Sequence, residues 1–129
     1  IYSPSMRGFC DTKISTQYTN GKKDKETASH IIYVLNGVPP LYIELTIAHE
    51  LMHVWFYQNT AKKHDSRLLE GSCNYAAWLY LKAEGGKDLP RLQKQMLDDP
   101  DPVYGEGFRK IYSMFSGKTV GEFLSYLKK

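Results

Sequence analysis

Leu45-Thr46-Ile47-Ala48-His49-Glu50-Leu51-Met52-His53-Val54-Trp55-Phe56 is the stretch on which the reading turns. It lies in a run from Leu41 to about Gln58 that contains no glycine or proline and is preceded by Val38-Pro39-Pro40. Prolines suit the first turn of a helix, so the run reads as one. Apolar residues crowd most of its surface, and the expectation is a helix buried inside the domain. Residues four apart on a helix share a face, with about 5–6 Å between Cβ atoms. His49 and His53 can therefore converge on one tetrahedral zinc, and His49-Glu50-x-x-His53 is the HExxH pattern of zinc sites. Glu50, one step round from His49, sits beside the ion, where its carboxylate can serve as general base. A buried histidine pair with nothing to bind would leave ring nitrogens unsatisfied.

Two histidines do not complete a site, so a third ligand must follow. The extended metzincin pattern would need Gly and His at positions that hold Phe56 and Asn59, which excludes that subclass. His64 is an alternative ligand, but Lys62-Lys63-His64-Asp65 reads as an exposed connector. Glu70 fits better: it stands near the head of a second helix, where a carboxylate facing two histidines is the thermolysin-like solution. The competing role for Glu70 is an acid favoured by the helix dipole. Gly71 beside it would let this helix approach the first closely. Asn74, four residues on, shares the face of Glu70 and can hold a ligating imidazole through its other nitrogen. Cys73 reads as a small core residue rather than as a ligand or nucleophile.

The remaining chain organises around that pair. Residues 1–28 are polar and turn-rich (Ser3, Pro4, Gly8), with a strand at Lys13 to Tyr18 and a turn at Asn20-Gly21. His30 to Leu35 is β-branched and aromatic and reads as a strand. The second long helix runs from Ser66 to Glu84 and stops at Gly85-Gly86. Shorter helices follow around Pro90–Leu97 and Glu106–Phe115, and a last one starts from a Thr119-x-x-Glu122 capping box. Strands first and helices after predict one α+β domain over residues 1–129, with a core at 29–129.

Composition narrows the function classes. The 129 residues carry a net charge of +3, without the clustered basic stripe of a nucleic-acid binder. Lys22, Lys23 and Lys25, interleaved with Asp24 and Glu26, read as a solvated loop. Two cysteines, Cys10 and Cys73, cannot build a disulfide framework or a cysteine-rich zinc module. No apolar run reaches the length of a membrane span and no signal peptide is visible, which favours the cytoplasm and no membrane partner.

Three blocks in order resemble one group. They are Ile32–Trp55 (with Gly37-Val38-Pro39-Pro40 and Ala48 to Trp55), Leu69-Glu70-Gly71-Ser72-Cys73, and Tyr104-Gly105-Glu106-Gly107-Phe108-Arg109. The group is the LIM-domain-associated "DA" peptidase family, the ubiquitin-activated peptidases that limit organ growth in plants, with simpler bacterial relatives. The likeness covers about residues 29 to 127. It implies a small zincin-like (gluzincin) domain with one zinc on His49, His53 and Glu70, and Glu50 as catalytic base. Within the third block, Tyr104 or Arg109 could face the cleft and stabilise an oxyanion; the alternative is a helix start and a surface ion pair. The ubiquitin-binding helices and LIM module of the plant proteins have no counterpart here, so ubiquitin activation does not carry over.

The expected function is zinc-dependent hydrolysis of a protein or peptide substrate, which would pair with the edge of the His30–Leu35 strand. One alternative is a zinc-stabilised protein-binding module with lost or latent catalysis, against which the intact Glu50 argues. Another is a DNA-associated HExxH protease, which calls for a later histidine ligand and a strongly basic surface. Oligomeric state and cleavage specificity are not legible.

Overall fold

Helix α2 (Ser66–Glu84) organises the molecule. The computed structural model describes residues 8–61 and 63–129. The expected turns around Ser3 and Pro4, and the place of Lys62 in the connector, lie outside the described residues. Asp65 caps α2, its carboxylate accepting from the Leu68 backbone N–H at 3.0 Å, and Gly85 ends it. Gly71, Ser72, Cys73, Tyr75, Ala77, Trp78 and Leu81 bury its inner surface. This burial is shared between α1 (Pro40–Asn59) on one side and α4 (Tyr104–Phe115) on the other. Helices α3 (Leu89–Asp98) and α5 (Val120–Leu127) complete the core through Leu92, Phe123 and Leu127. Thr119 caps α5 by accepting from the Glu122 N–H at 3.1 Å, as its sequence predicts.

Gly71 acts differently from expectation: it admits α4, not α1. A β-carbon on Gly71 would lie 2.8 Å from Gly107 Cα and nearer still to the Gly107 carbonyl. One on Gly107 would be 3.2 Å from Gly71 Cα. The two helices meet backbone to backbone, so Gly71→Ala must either clash or push α4 away. We expect Gly71→Ala to cost about 1–3 kcal/mol or more, read as a lower midpoint in thermal unfolding.

The sheet is a two-stranded antiparallel hairpin of β1 (Gly8–Thr19) and β2 (Lys22–Val34), paired from Gly8 opposite Val34 to Thr19 opposite Lys22 with a one-residue register shift between Gln17 and Tyr18, where Asp24 is left over. Asn20 and Gly21 supply the turn with φ of 54° and 77°, the left-handed pair that matches strand twist. Both strands are much longer than expected: apart from the Asn20-Gly21 turn, which falls where it was expected, residues 8–28 are all strand. The Lys22–Glu26 charges sit on β2, with Lys23 and Glu26 paired at 2.6 Å. Most of the hairpin is exposed on both faces, so polar residues cost nothing there and leave no clean alternation to read.

Helix α1 keeps its expected bounds but not its expected burial. Only Glu50, Met52 and Phe56 are buried, while Leu51 is 53% exposed and Ile47 and Tyr57 are exposed too. Among the described residues, α1 packs mainly on α2 and more lightly on the hairpin, which leaves its outer face open. No helix among the described residues is long and apolar enough to cross a membrane.

Candidate metal centre

The α1–α2 packing fixes the site. His49 and His53 project from one face of α1, and Glu70, in the second turn of α2, faces them. One Glu70 carboxylate oxygen lies 3.2 Å from His49 Nε2 and 2.9 Å from His53 Nε2. Ligands at about 2.0–2.1 Å around a tetrahedral ion are about 3.3–3.4 Å apart, so these separations are near the edges of such a coordination shell.

Asn74 decides what His49 presents to that group. Its side-chain N–H donates to the Tyr104 carbonyl at 3.3 Å, which turns its oxygen toward His49 Nδ1 at 2.7 Å. His49 Nδ1 then carries the proton, and in neutral imidazole Nε2 offers a lone pair. A lone pair facing a carboxylate oxygen at 3.2 Å is repulsive until a cation stands between them. The donor set therefore fits a metal ion. Asn74→Ala should weaken metal affinity by about 10–100-fold, measured by competition with a chromophoric chelator.

Electrostatics match this arrangement. Without a metal, a proton on each Nε2 takes the cation's place: burial works against the Glu70 charge, yet the hydrogen bonds that His49 and His53 then donate hold its carboxyl at about 2. Burial lowers His53, but the hydrogen bond and charge of Glu70 more than compensate and raise it. Glu50 is 5% exposed and is raised by burial, with the two histidines pulling down and Glu70 pushing up. Its nearest carboxylate oxygen is 4.0 Å from His49 Nε2, beside the ligand group rather than part of it.

The group opens into a cavity of about 580 Å³. Gly8, Cys10 and Thr12 of β1 form one wall, and Tyr42 and Leu45 of α1 with Leu92 and Met96 of α3 form an apolar side. Tyr104, at the start of α4, also lines it, and its ring stacks 6.1 Å from that of His49. Burial, then the Glu70 and Glu50 charges, push the Tyr104 hydroxyl up to about 12, so it stays a proton donor.

Several expected residues land elsewhere. Arg109 points away from the cavity: its guanidinium donates to the backbone carbonyls of Leu97 (3.0 Å) and Asp99 (2.6 Å). It is therefore neither a cleft residue nor the partner in a surface ion pair; it ties α4 to the end of α3. His64 is half-buried rather than exposed, its ring edge-on to Phe56 at 5.1 Å and apart from the ligand group. The strand beside the cavity is β1, not the His30–Leu35 segment, because β1 lies between β2 and the opening. Cys73, expected as core, is completely buried and also within the ligand group. Its sulfur and the ligand atoms of His49, His53 and Glu70 all lie within 4.8 Å of one another. Its i, i+3 spacing from Glu70 was the available signal.

Comparison with known proteins agrees with the resemblance and redraws its limits. Residues 3–93 match the family model described as DA1-like, Protein DA1. That stretch takes in the hairpin and the ligand group and stops before Tyr104–Arg109. Protein DA1 of Arabidopsis thaliana is 27% identical over 154 residues, covering 84% of this chain and 29% of the relative. Protein DA1-related 7 of the same plant is 25% identical over 128 residues, covering 75% of this chain and 23% of the relative. The chain thus spans less than a third of the length of these relatives. No solved structure matches it. With a family model matched over most of its length, the chain belongs to the DA1-like family.

Proposed function

We propose that this domain is a zinc-dependent peptidase of the two-histidine, one-glutamate kind. The observation that carries this reading is the convergence of His49, His53 and Glu70 at a cavity wall, with Glu50 beside them and not among them. A structural metal site has no use for that extra buried acid, whereas hydrolysis needs a base within reach of the attacking water. Two imidazoles and a carboxylate suit zinc, and three protein ligands leave room for a reacting group. When bound, zinc polarises a carbonyl oxygen and brings water into acid–base range near neutral pH.

The chain's own residues do the rest. Asn74 holds the His49 ring in place through Nδ1. Glu50 takes the proton of the water that adds to the scissile carbonyl carbon and delivers it to the leaving amine as the C–N bond breaks. Tyr104 donates its hydroxyl hydrogen bond to the carbonyl oxygen as negative charge develops there. The main chain of an extended peptide pairs along β1, and its apolar side chains meet Tyr42, Leu45, Leu92 and Met96.

The direct test is hydrolysis of a mixed peptide library by the zinc-loaded protein. Cleavage should stop on adding a chelator and return with zinc; cleavage that persists after the metal is stripped would end this reading. Tyr104→Phe removes only a hydroxyl, and we expect it to lower kcat by about a hundredfold with KM little changed. Steady-state kinetics on one cleaved peptide measures both.

A further inference from the structure

Cys73 is the group at the site that the proposed reaction does not use. It is 0% exposed and does not line the cavity, whereas His49, His53 and Glu70 do. Its sulfur and those residues' ligand atoms nevertheless lie within 4.8 Å of one another. The other thiol, Cys10, lines the cavity from β1 and is outside this group. The ligand set is therefore approached by sulfur from the buried side of α2 and open on the side of the cavity.

We propose that Cys73 is a fourth metal donor, so that the ion rests in a two-histidine, one-glutamate, one-cysteine shell backed by α2. This rests on the metal site proposed above and adds a ligand to it. At the outer limit of 4.8 Å the sulfur would move in by about 1 Å to reach a tetrahedral edge, an adjustment that a side chain with one rotatable torsion can make. The thiol proton passes to solvent as the metal–sulfur bond forms. The consequence is selectivity. A thiolate makes the site softer than a nitrogen and oxygen set, favouring zinc and cadmium over manganese and magnesium. For hydrolysis, water and the substrate carbonyl would enter from the cavity side in place of the sulfur or as a fifth ligand, so the three-ligand set proposed above would be the reacting form and the four-donor shell the resting one.

Cobalt(II) is the probe for this donor, because thiolate-to-cobalt charge transfer gives a near-ultraviolet band that nitrogen and oxygen ligands do not. We expect the band in the cobalt-loaded wild-type chain and in Cys10→Ser, and its loss in Cys73→Ala. We also expect the cadmium-over-zinc affinity ratio of Cys73→Ala to fall by about tenfold or more. Cobalt bound with visible ligand-field bands but no charge-transfer band would overturn the Cys73 assignment and leave the peptidase reading intact. A band lost in Cys10→Ser and kept in Cys73→Ala would overturn it as well. No cobalt bound at all would defeat both readings. Cys73 is fully buried and its variant can fail to fold, so X-ray absorption on zinc-loaded wild type provides a test without substitution. One sulfur at about 2.3 Å supports the proposal, and a shell of only nitrogen and oxygen ends it.

Discussion

If the proposed reading holds, Glu50→Gln should lose nearly all peptide hydrolysis, by about 10²–10⁴-fold in kcat, while the metal stays bound. The amide is nearly isosteric with the carboxylate, so the surrounding packing is preserved. It cannot accept the proton of the attacking water. Glu50 is buried and lies 4.0 Å from His49 Nε2, outside the ligand group, so metal affinity should change little. Neutralising a buried acid near Glu70 also removes one repulsion within the site. Metal content and steady-state rates on the same preparation make the comparison. A variant that keeps its metal and its full rate would show that Glu50 is not the base.

Glu70→Ala should lose the metal. Zinc binding in small structural sites is worth about 10–16 kcal/mol over four ligands, or about 2.5–4 kcal/mol for each. Affinity should then fall by roughly two to three orders of magnitude. The same carboxylate oxygen faces both histidines, and the other α2 groups beside them are Asn74, which holds only His49, and the Cys73 sulfur. His64→Ala, whose ring packs on Phe56 away from the group, should leave affinity unchanged. Titration with zinc against a competing chelator reads both variants. Equal affinity in wild type and Glu70→Ala would remove Glu70 from the ligand set.

The elements carrying the site were the most legible part of the sequence. The bounds of α2 follow from Ser66 and from Gly85-Gly86, and those of α1 from the proline pair and an unbroken helical run. The convergence of Glu70 on His49 and His53, and the hydrogen bond that Asn74 accepts from His49, follow from four-residue spacing on two helices packed face to face. What the sequence hid depends on partners distant in the chain. Apolar residues on α1 suggested a buried helix, but a two-stranded hairpin is too narrow to cover both its faces. Gly71 announced a close helix contact without naming Gly107 as the other side. Arg109 looked like a charge for a cleft or a surface pair, and its partners are backbone carbonyls, which leave no trace in residue type. The hairpin was underestimated because its exposed strands carry lysines and aspartate, residue types depleted in strands, and have no buried face to impose an alternation.

Zinc stoichiometry of the purified wild-type chain, measured by elemental analysis after equilibration with the metal and removal of excess, tests the central claim most directly. One tightly held zinc per chain is the predicted result. Protein that stays folded and retains none would contradict it, leaving His49, His53 and Glu70 as a buried hydrogen-bonded cluster that binds no metal.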